Sequence, residues 1–139
     1  MNKYMFVYGS LMYGFYNYDK YLAKHVISIQ RGYVQGSLYD MPYKGYPALL
    51  NDGDDEVWGE IIEVLSLEDI IDDIDDMENY FHRDNDEYQR IPKMVHLEDG
   101  EEMILDVYVY VHKEQDDKFD TAIYIPDGDW RKYKSEIEE

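Results

Sequence analysis

One stretch of this chain carries a sustained run of apolar residues at helical spacing; most of the remaining hydrophobicity falls in short strand-like runs. Leu67, Ile70, Ile71, Ile74 and Met77 recur at the interval that builds one face of a helix. Ser66 precedes them as an N-cap, and Glu68 and Asp69 fall in the first turn, where the helix dipole favours acids. Asp69, Asp72, Asp73 and Asp76 lie between and opposite the apolar positions. Aspartates are poor helix formers, so packing of the stripe must hold this helix.

Strands dominate the remainder. Lys3 to Tyr8 reads as a strand ending at Gly9, and Tyr18 to Lys24 as a short helix with Asn17 as N-cap. Ser28 to Tyr33 and Gln35 to Tyr39 read as strands separated by turn-prone residues. A Pro- and Gly-containing loop from Met41 to Pro47 leads to a short Ala48–Leu50 stretch, a polar turn over Asn51–Glu56, and a strand over Val57–Val64. Tyr88–Leu97 and Met103–Val111 pair as a hairpin across Glu98-Asp99-Gly100. Trp130 to Glu139 is charged, and either frays or forms a short surface helix. Many strands with few helices predict an α+β fold with a strongly curved or closed sheet.

The helical stripe also reaches one carboxylate. With Leu67 at zero and about 100° per residue, Ile71 falls at about 40°, Ile74 at about 340° and Glu78 at about 20°. Glu78 therefore sits within the apolar stripe, whereas Asp72 and Asp76 project away from it. Of the many acids, Glu78 is the one the pattern buries. Burial raises the pKa of an unpaired carboxyl toward neutrality, which suits general acid–base chemistry. Two plainer readings stand beside this one: the helix ends at Met77 and Glu78 turns out to solvent, or Glu78 pairs with Arg83 or Arg90.

Length and charge narrow the class. The 139 residues make one domain, 1–139, with 131–139 a charged tail. A 45% hydrophobic content is too apolar for a disordered chain, even with a net charge of −19. That charge repels phosphate backbones and argues against nucleic acid or an anionic membrane as partner. The absence of cysteine excludes a disulfide scaffold, a thiolate nucleophile and Cys-ligated metal, and fits a reducing compartment. The N-terminal apolar stretch is too short for a signal sequence, and no run of about 18 apolar residues occurs. The expectation is a cytoplasmic protein, monomeric or weakly dimeric. Sixteen tyrosines fit a strand-rich chain, with a tyrosine-rich binding surface as the alternative.

A second feature closes the first strand. Val7-Tyr8-Gly9-Ser10-Leu11 is an apolar strand breaking at Gly-Ser, with Gly14 and Asn17 following. Glycine there lets the backbone turn sharply and present successive N–H groups to an anion or a carbonyl. Neither a phosphate-loop pattern nor a dinucleotide-binding pattern is present, and by itself such a turn is ordinarily a plain loop.

Together these features resemble the gamma-glutamylcyclotransferase-like family, which includes gamma-glutamylamine cyclotransferase and AIG2-like proteins. Val7–Leu11 resembles the family's substrate loop, followed by Gly14-Phe15-Tyr16-Asn17. Gly36-Ser37-Leu38-Tyr39-Asp40 with Gly45-Tyr46-Pro47-Ala48-Leu49 is similar to a second segment, and Val57-Trp58-Gly59-Glu60 to a third. Ile74-Asp75-Asp76-Met77-Glu78 with Tyr88-Gln89-Arg90 resembles the stretch bearing the family's catalytic Glu. Tyr108-Val109-Tyr110 and Gly128-Asp129-Trp130 are similar to its closing segments. Two positions depart from the pattern. Asn79 stands where a Gly commonly follows the Glu, and Met12 and Tyr13 stand where the gamma-glutamylamine type often has a basic residue.

The resemblance implies a small mixed β-barrel flanked by short helices, with a pocket at one end. It implies that a gamma-glutamyl small molecule is held by the backbone of Tyr8, Gly9, Ser10 and Leu11. Glu78 would serve as general acid and base while the substrate's α-amine attacks its own γ-carbonyl, releasing 5-oxoproline. The resemblance calls for no metal and no cofactor.

Other constellations carry less. His25, His82, His96 and His112 form no H-x-x-x-H pair that would indicate zinc. Asp52, Asp54, Glu56 and Glu63 echo a calcium loop, but Val57 stands where that loop requires Gly. The acidic segment His82–Glu87 reads as a pocket rim or a weak cation binder. Ser10 has no His–Asp logic near it in sequence and reads as a loop former. A catalytically silent binding module of the same fold is the main rival, since fold alone never implies activity; an acidic mimic of nucleic acid rests on charge alone.

Overall fold

A computed structural model describes residues 3–41, 46–78, 80–83, 86, 88–111 and 121–137, with the side chain of Tyr46 excepted. The fold is α+β: one mostly antiparallel sheet with short helical segments. The strands are β1 (Tyr4–Val7), β2 (Val26–Met41), β3 (Tyr46–Val64), β4 (Tyr88–Leu97), β5 (Glu102–Tyr110) and β6 (Ile123–Ile125). Their order is β1-β3-β2-β4-β5, with β6 pairing along the far part of β2. Every strand ladder is antiparallel, and the parallel pairing is an isolated bridge between Trp58 and Asp129. β1 and β5 end the path without a ladder between them, so the barrel is an open one. Across that seam the Tyr8 hydroxyl donates to the Tyr108 carbonyl oxygen at 2.7 Å.

Two predicted breaks differ. The two strands expected over Ser28–Tyr39 are one continuous strand, β2. Gly32 and Gly36 mark close approaches along it: a Cβ on Gly32 would meet His96 O at 2.6 Å, and one on Gly36 would meet Leu50 O at 2.6 Å. The polar turn expected over Asn51–Glu56 lies inside β3 as a bulge. Leu50 pairs with Ser37 and Asp55 with Gly36, leaving four residues of β3 without partners on β2. There the Ser37 hydroxyl donates to Asp52 O at 3.0 Å. The tail beginning at Trp130 forms helix α2 (Trp130–Ile137), anchored by a buried Trp130.

The helix over Ser66–Met77 forms in two pieces, a 3-10 turn at Leu67–Asp69 and α1 at Ile71–Met77, broken at Ile70. Ser66 is extended and makes no side-chain cap bond. As the aspartates require, burial carries the segment: Leu67, Ile70, Ile71 and Ile74 all lie in the core with β1, β3 and β5. Tyr18–Leu22 is a π-helical segment rather than an α-helix, and Asn17 is already helical instead of capping it. The hairpin of β4 and β5 turns at Gly100, with φ 93°. Residues 42–45 of the expected Pro/Gly loop, Asn79, Asp84, Asn85, Glu87 and His112 lie outside the described residues.

Candidate active site

The five residues singled out by sequence line one cavity. Its volume is about 480 Å³, counting the mouth open to solvent. Phe6 and Val7 of β1, then Tyr8, Gly9, Ser10 and Leu11, form one wall. Met77 and Glu78 enter from the end of α1, Tyr108 from β5, with Asn17 and Pro47 completing the lining. The loop is built by its own backbone: Met12 N–H donates to Gly9 O at 3.0 Å, and Tyr18 N–H to Ser10 O at 3.2 Å. Of the two residues that follow the loop, Met12 is buried and Tyr13 exposed. The Arg131 guanidinium reaches across from α2 and donates to Tyr13 O at 2.7 Å.

Glu78 occupies the C-cap of α1, with φ −81° and ψ 1°, and its N–H still donates to Ile74 O at 2.9 Å. The helix therefore ends at Met77, yet the side chain turns into the cavity. The residue as a whole is half-buried, but protein atoms crowd its carboxyl. Desolvation, and secondarily the charge of Asp75, push it up to about 7. Neither arginine considered as a partner reaches it: Arg90 pairs with Asp75 at 3.5 Å, and Arg83 with Asp86 at 3.0 Å. The first Asp86 effect, burial, would raise its pKa; the Phe81 and Arg83 N–H groups and the Arg83 guanidinium outweigh it and hold the carboxyl low.

Two residues at the site escaped the sequence reading. Asn17, expected as a cap, sends its side-chain nitrogen to Ser10 Oγ at 2.7 Å and to Met77 Sδ at 3.7 Å. It ties the loop to the residue preceding Glu78. Asp75 is the second acid on the buried face, 2% exposed. The Tyr108 hydroxyl donates to Asp75 Oδ1 at 2.5 Å. Burial, then the hydrogen bond to Asp75, raise the Tyr108 hydroxyl far above its ordinary pKa. At about 100° per residue Asp75 falls at about 80° from Leu67, on the margin of the stripe, where the wheel by itself does not decide burial.

A wider hollow of about 970 Å³ beside α2 offers less chemistry. Its arginines are met by acids, Arg31 by Asp129 at 3.2 Å and Arg131 by Glu60 at 3.3 Å. Among the described residues no group of three His, Asp or Glu could hold a metal ion, and no helix is long and apolar enough to cross a membrane.

Fold and cavity together define a class. The sequence pattern of the family described as "Gamma-glutamyl cyclotransferase, AIG2-like" matches residues 5–132, and the chain belongs to that family. An AIG2-like protein from Mus musculus is similar at 25% identity and a TM-score of 0.67, over 89% of this chain and 86% of the mouse chain. YkqA from Bacillus subtilis is similar in fold at 21% identity and a TM-score of 0.71, over 99% of this chain. The chain spans only 43% of YkqA. An uncharacterized protein from Pyrococcus horikoshii shares the fold at 18% identity and a TM-score of 0.64, over 97% of this chain and 95% of the other. No curated protein sequence matches.

Proposed function

We propose that the chain is a gamma-glutamylcyclotransferase releasing 5-oxoproline from a gamma-glutamyl amine or amino acid, with Glu78 as general acid and base. One observation carries the reading: a carboxyl whose pKa stands at about 7 shares a cavity with the Tyr8–Leu11 loop. A carboxyl poised near neutrality can both take and return a proton at working pH.

The reaction is an internal acyl transfer. The substrate's α-amine, in its neutral form, attacks the γ-carbonyl carbon, and a new C–N bond closes a five-membered ring. Glu78 takes the proton that this nitrogen sheds. As the bond from the γ-carbon to the leaving nitrogen breaks, Glu78 returns the proton to that nitrogen. The products are 5-oxoproline and a free amine, and Glu78 is again a carboxylate. Because nucleophile and electrophile share one molecule, holding the reactive conformer supplies much of the rate. Backbone N–H groups of the loop stabilise charge developing on the γ-oxygen.

The test is to incubate the protein with a panel of gamma-glutamyl amines and dipeptides and to assay 5-oxoproline. Turnover should appear with at least one member and fall at least about 10²-fold in Glu78→Gln. A folded Glu78→Gln protein with activity within a few-fold of wild type would remove Glu78 from the mechanism. No turnover across the panel would favour a binding module.

A further inference from the structure

Asp75 is a buried carboxylate that the cyclisation itself does not use. Three groups converge on it. The Tyr108 hydroxyl of β5 donates to Oδ1 at 2.5 Å. At Oδ2 stand His82 Nε2, at 3.2 Å, and the Arg90 guanidinium of β4, at 3.5 Å. His82 reaches this position with φ 62°, the one left-handed non-glycine among the described residues. Its ring packs against Tyr80 with centroids 4.4 Å apart.

Fastening α1 to β5 does not call for so many charges. A buried ion pair adds little net stability over apolar packing of the same volume. The placement of Asp75 gives the charge a use. It precedes Glu78 by three residues, a spacing that puts side chains on one helix face with Cβ atoms roughly 5–6 Å apart. A fixed negative charge at that range strengthens a neighbouring carboxylate as a base.

We propose that Asp75 is a positioning residue: its carboxylate, fixed by Tyr108, Arg90 and His82, sets how readily Glu78 takes the proton from the substrate's α-amine. The role in turnover rests on the reaction proposed above; the coupling between the two carboxyls does not. Among the described residues the titratable groups around Glu78 are Asp75 on its own helix, Tyr108 on β5, Tyr8 on the loop, and, behind Asp75, Arg90 on β4 and His82; Asp75 is the carboxyl group in that set. Arg90, and His82 when protonated, offset its charge. Removing the charge of Asp75 must therefore weaken Glu78 as a base, and removing that of Arg90 must strengthen it.

The experiment follows the side-chain carboxyl of Glu78 by NMR through a pH titration of the full chain. The resonance is assigned by its loss in Glu78→Gln. The Glu78 midpoint should fall by about one pH unit in Asp75→Asn and rise by some tenths in Arg90→Gln. The acidic limb of kcat/KM should move in the same directions. A role confined to fastening α1 would lower stability and leave both midpoints where they are in wild type, and that result overturns the proposal. Should Asp75→Asn fail to fold, Arg90→Gln decides alone: an unmoved or lowered midpoint is fatal. The titration needs no turnover, so failure to release 5-oxoproline defeats the proposed reaction and leaves the charge coupling to be judged separately.

Discussion

Gly9 lies so close to Pro47 that a Cβ on it would come within 2.7 Å of the proline Cγ and 3.0 Å of Cδ. The proline ring cannot swing aside as a long side chain would, so the loop or the start of β3 must shift. The demand for glycine at this position comes from Pro47, not from a left-handed backbone. Gly9→Val should abolish substrate binding, read as KM beyond the measurable range, in protein whose circular dichroism is unchanged. Normal turnover in that variant would show that the loop is not the substrate cradle.

Ser10 gives the complementary outcome. Its Oγ accepts from Asn17 at 2.7 Å, a contact that braces the loop. Ser10→Ala loses one hydrogen bond, about 1 kcal/mol, and should keep activity within about fivefold of wild type. A serine nucleophile would instead lose all turnover, and wild type would show a burst of acyl-enzyme.

Much of this geometry is written in local pattern. The Leu67–Met77 stripe places Glu78 on the buried face because helical periodicity is a local rule, and Gly9-Ser10 ends β1 because the break is local too. What the sequence conceals is set by neighbours distant along the chain. Nothing local shows why Gly32 and Gly36 are glycines until β4 and the Leu50 region of β3 are laid against them. Asn17 has the composition of a cap, yet its side chain is claimed by Ser10 and Met77, the latter 60 residues away. Asp75 sits where the wheel is ambiguous, and only the Tyr108 hydroxyl arriving from β5 decides that it is buried.

Asn17→Ala tests that claim. The substitution removes the link between the loop and Met77 without placing any new atom in the cavity. A loop no longer braced should hold substrate less firmly, so KM should rise about tenfold while kcat falls less. The estimate corresponds to one or two hydrogen bonds of about 1 kcal/mol each. Steady-state kinetics with unchanged KM would show the brace to be idle.

Tyr108→Phe removes the shortest contact to Asp75 and leaves the backbone carbonyl that accepts from Tyr8 in place. A buried carboxylate deprived of one donor should cost the fold about 1–3 kcal/mol. Urea denaturation at neutral pH measures it, and a midpoint equal to wild type would mean that Asp75 is satisfied without Tyr108.

The raised pKa of Glu78 makes a prediction about stability that is independent of catalysis. In the folded protein the carboxyl holds its proton up to about 7, whereas its ordinary value is 4.5. Between those two values the unfolded chain has released a proton that the folded chain still binds. Stability contributed by this group is therefore greatest below pH 4.5, falls as pH rises through the window, and levels off above about 7. The gap corresponds to at most about 3 kcal/mol, an upper figure because the residue is only half-buried. Glutamine carries no such proton, so Glu78→Gln should gain on wild type steadily across the window and be the more stable protein at about pH 8. Asp86, held low by its donors, acts in the opposite sense at acid pH, but it does so in both proteins and cancels in the difference. Chemical denaturation of the pair at several pH values gives the comparison directly. A constant difference from about pH 4 to about pH 8 would mean that Glu78 ionises in the fold as it does in water.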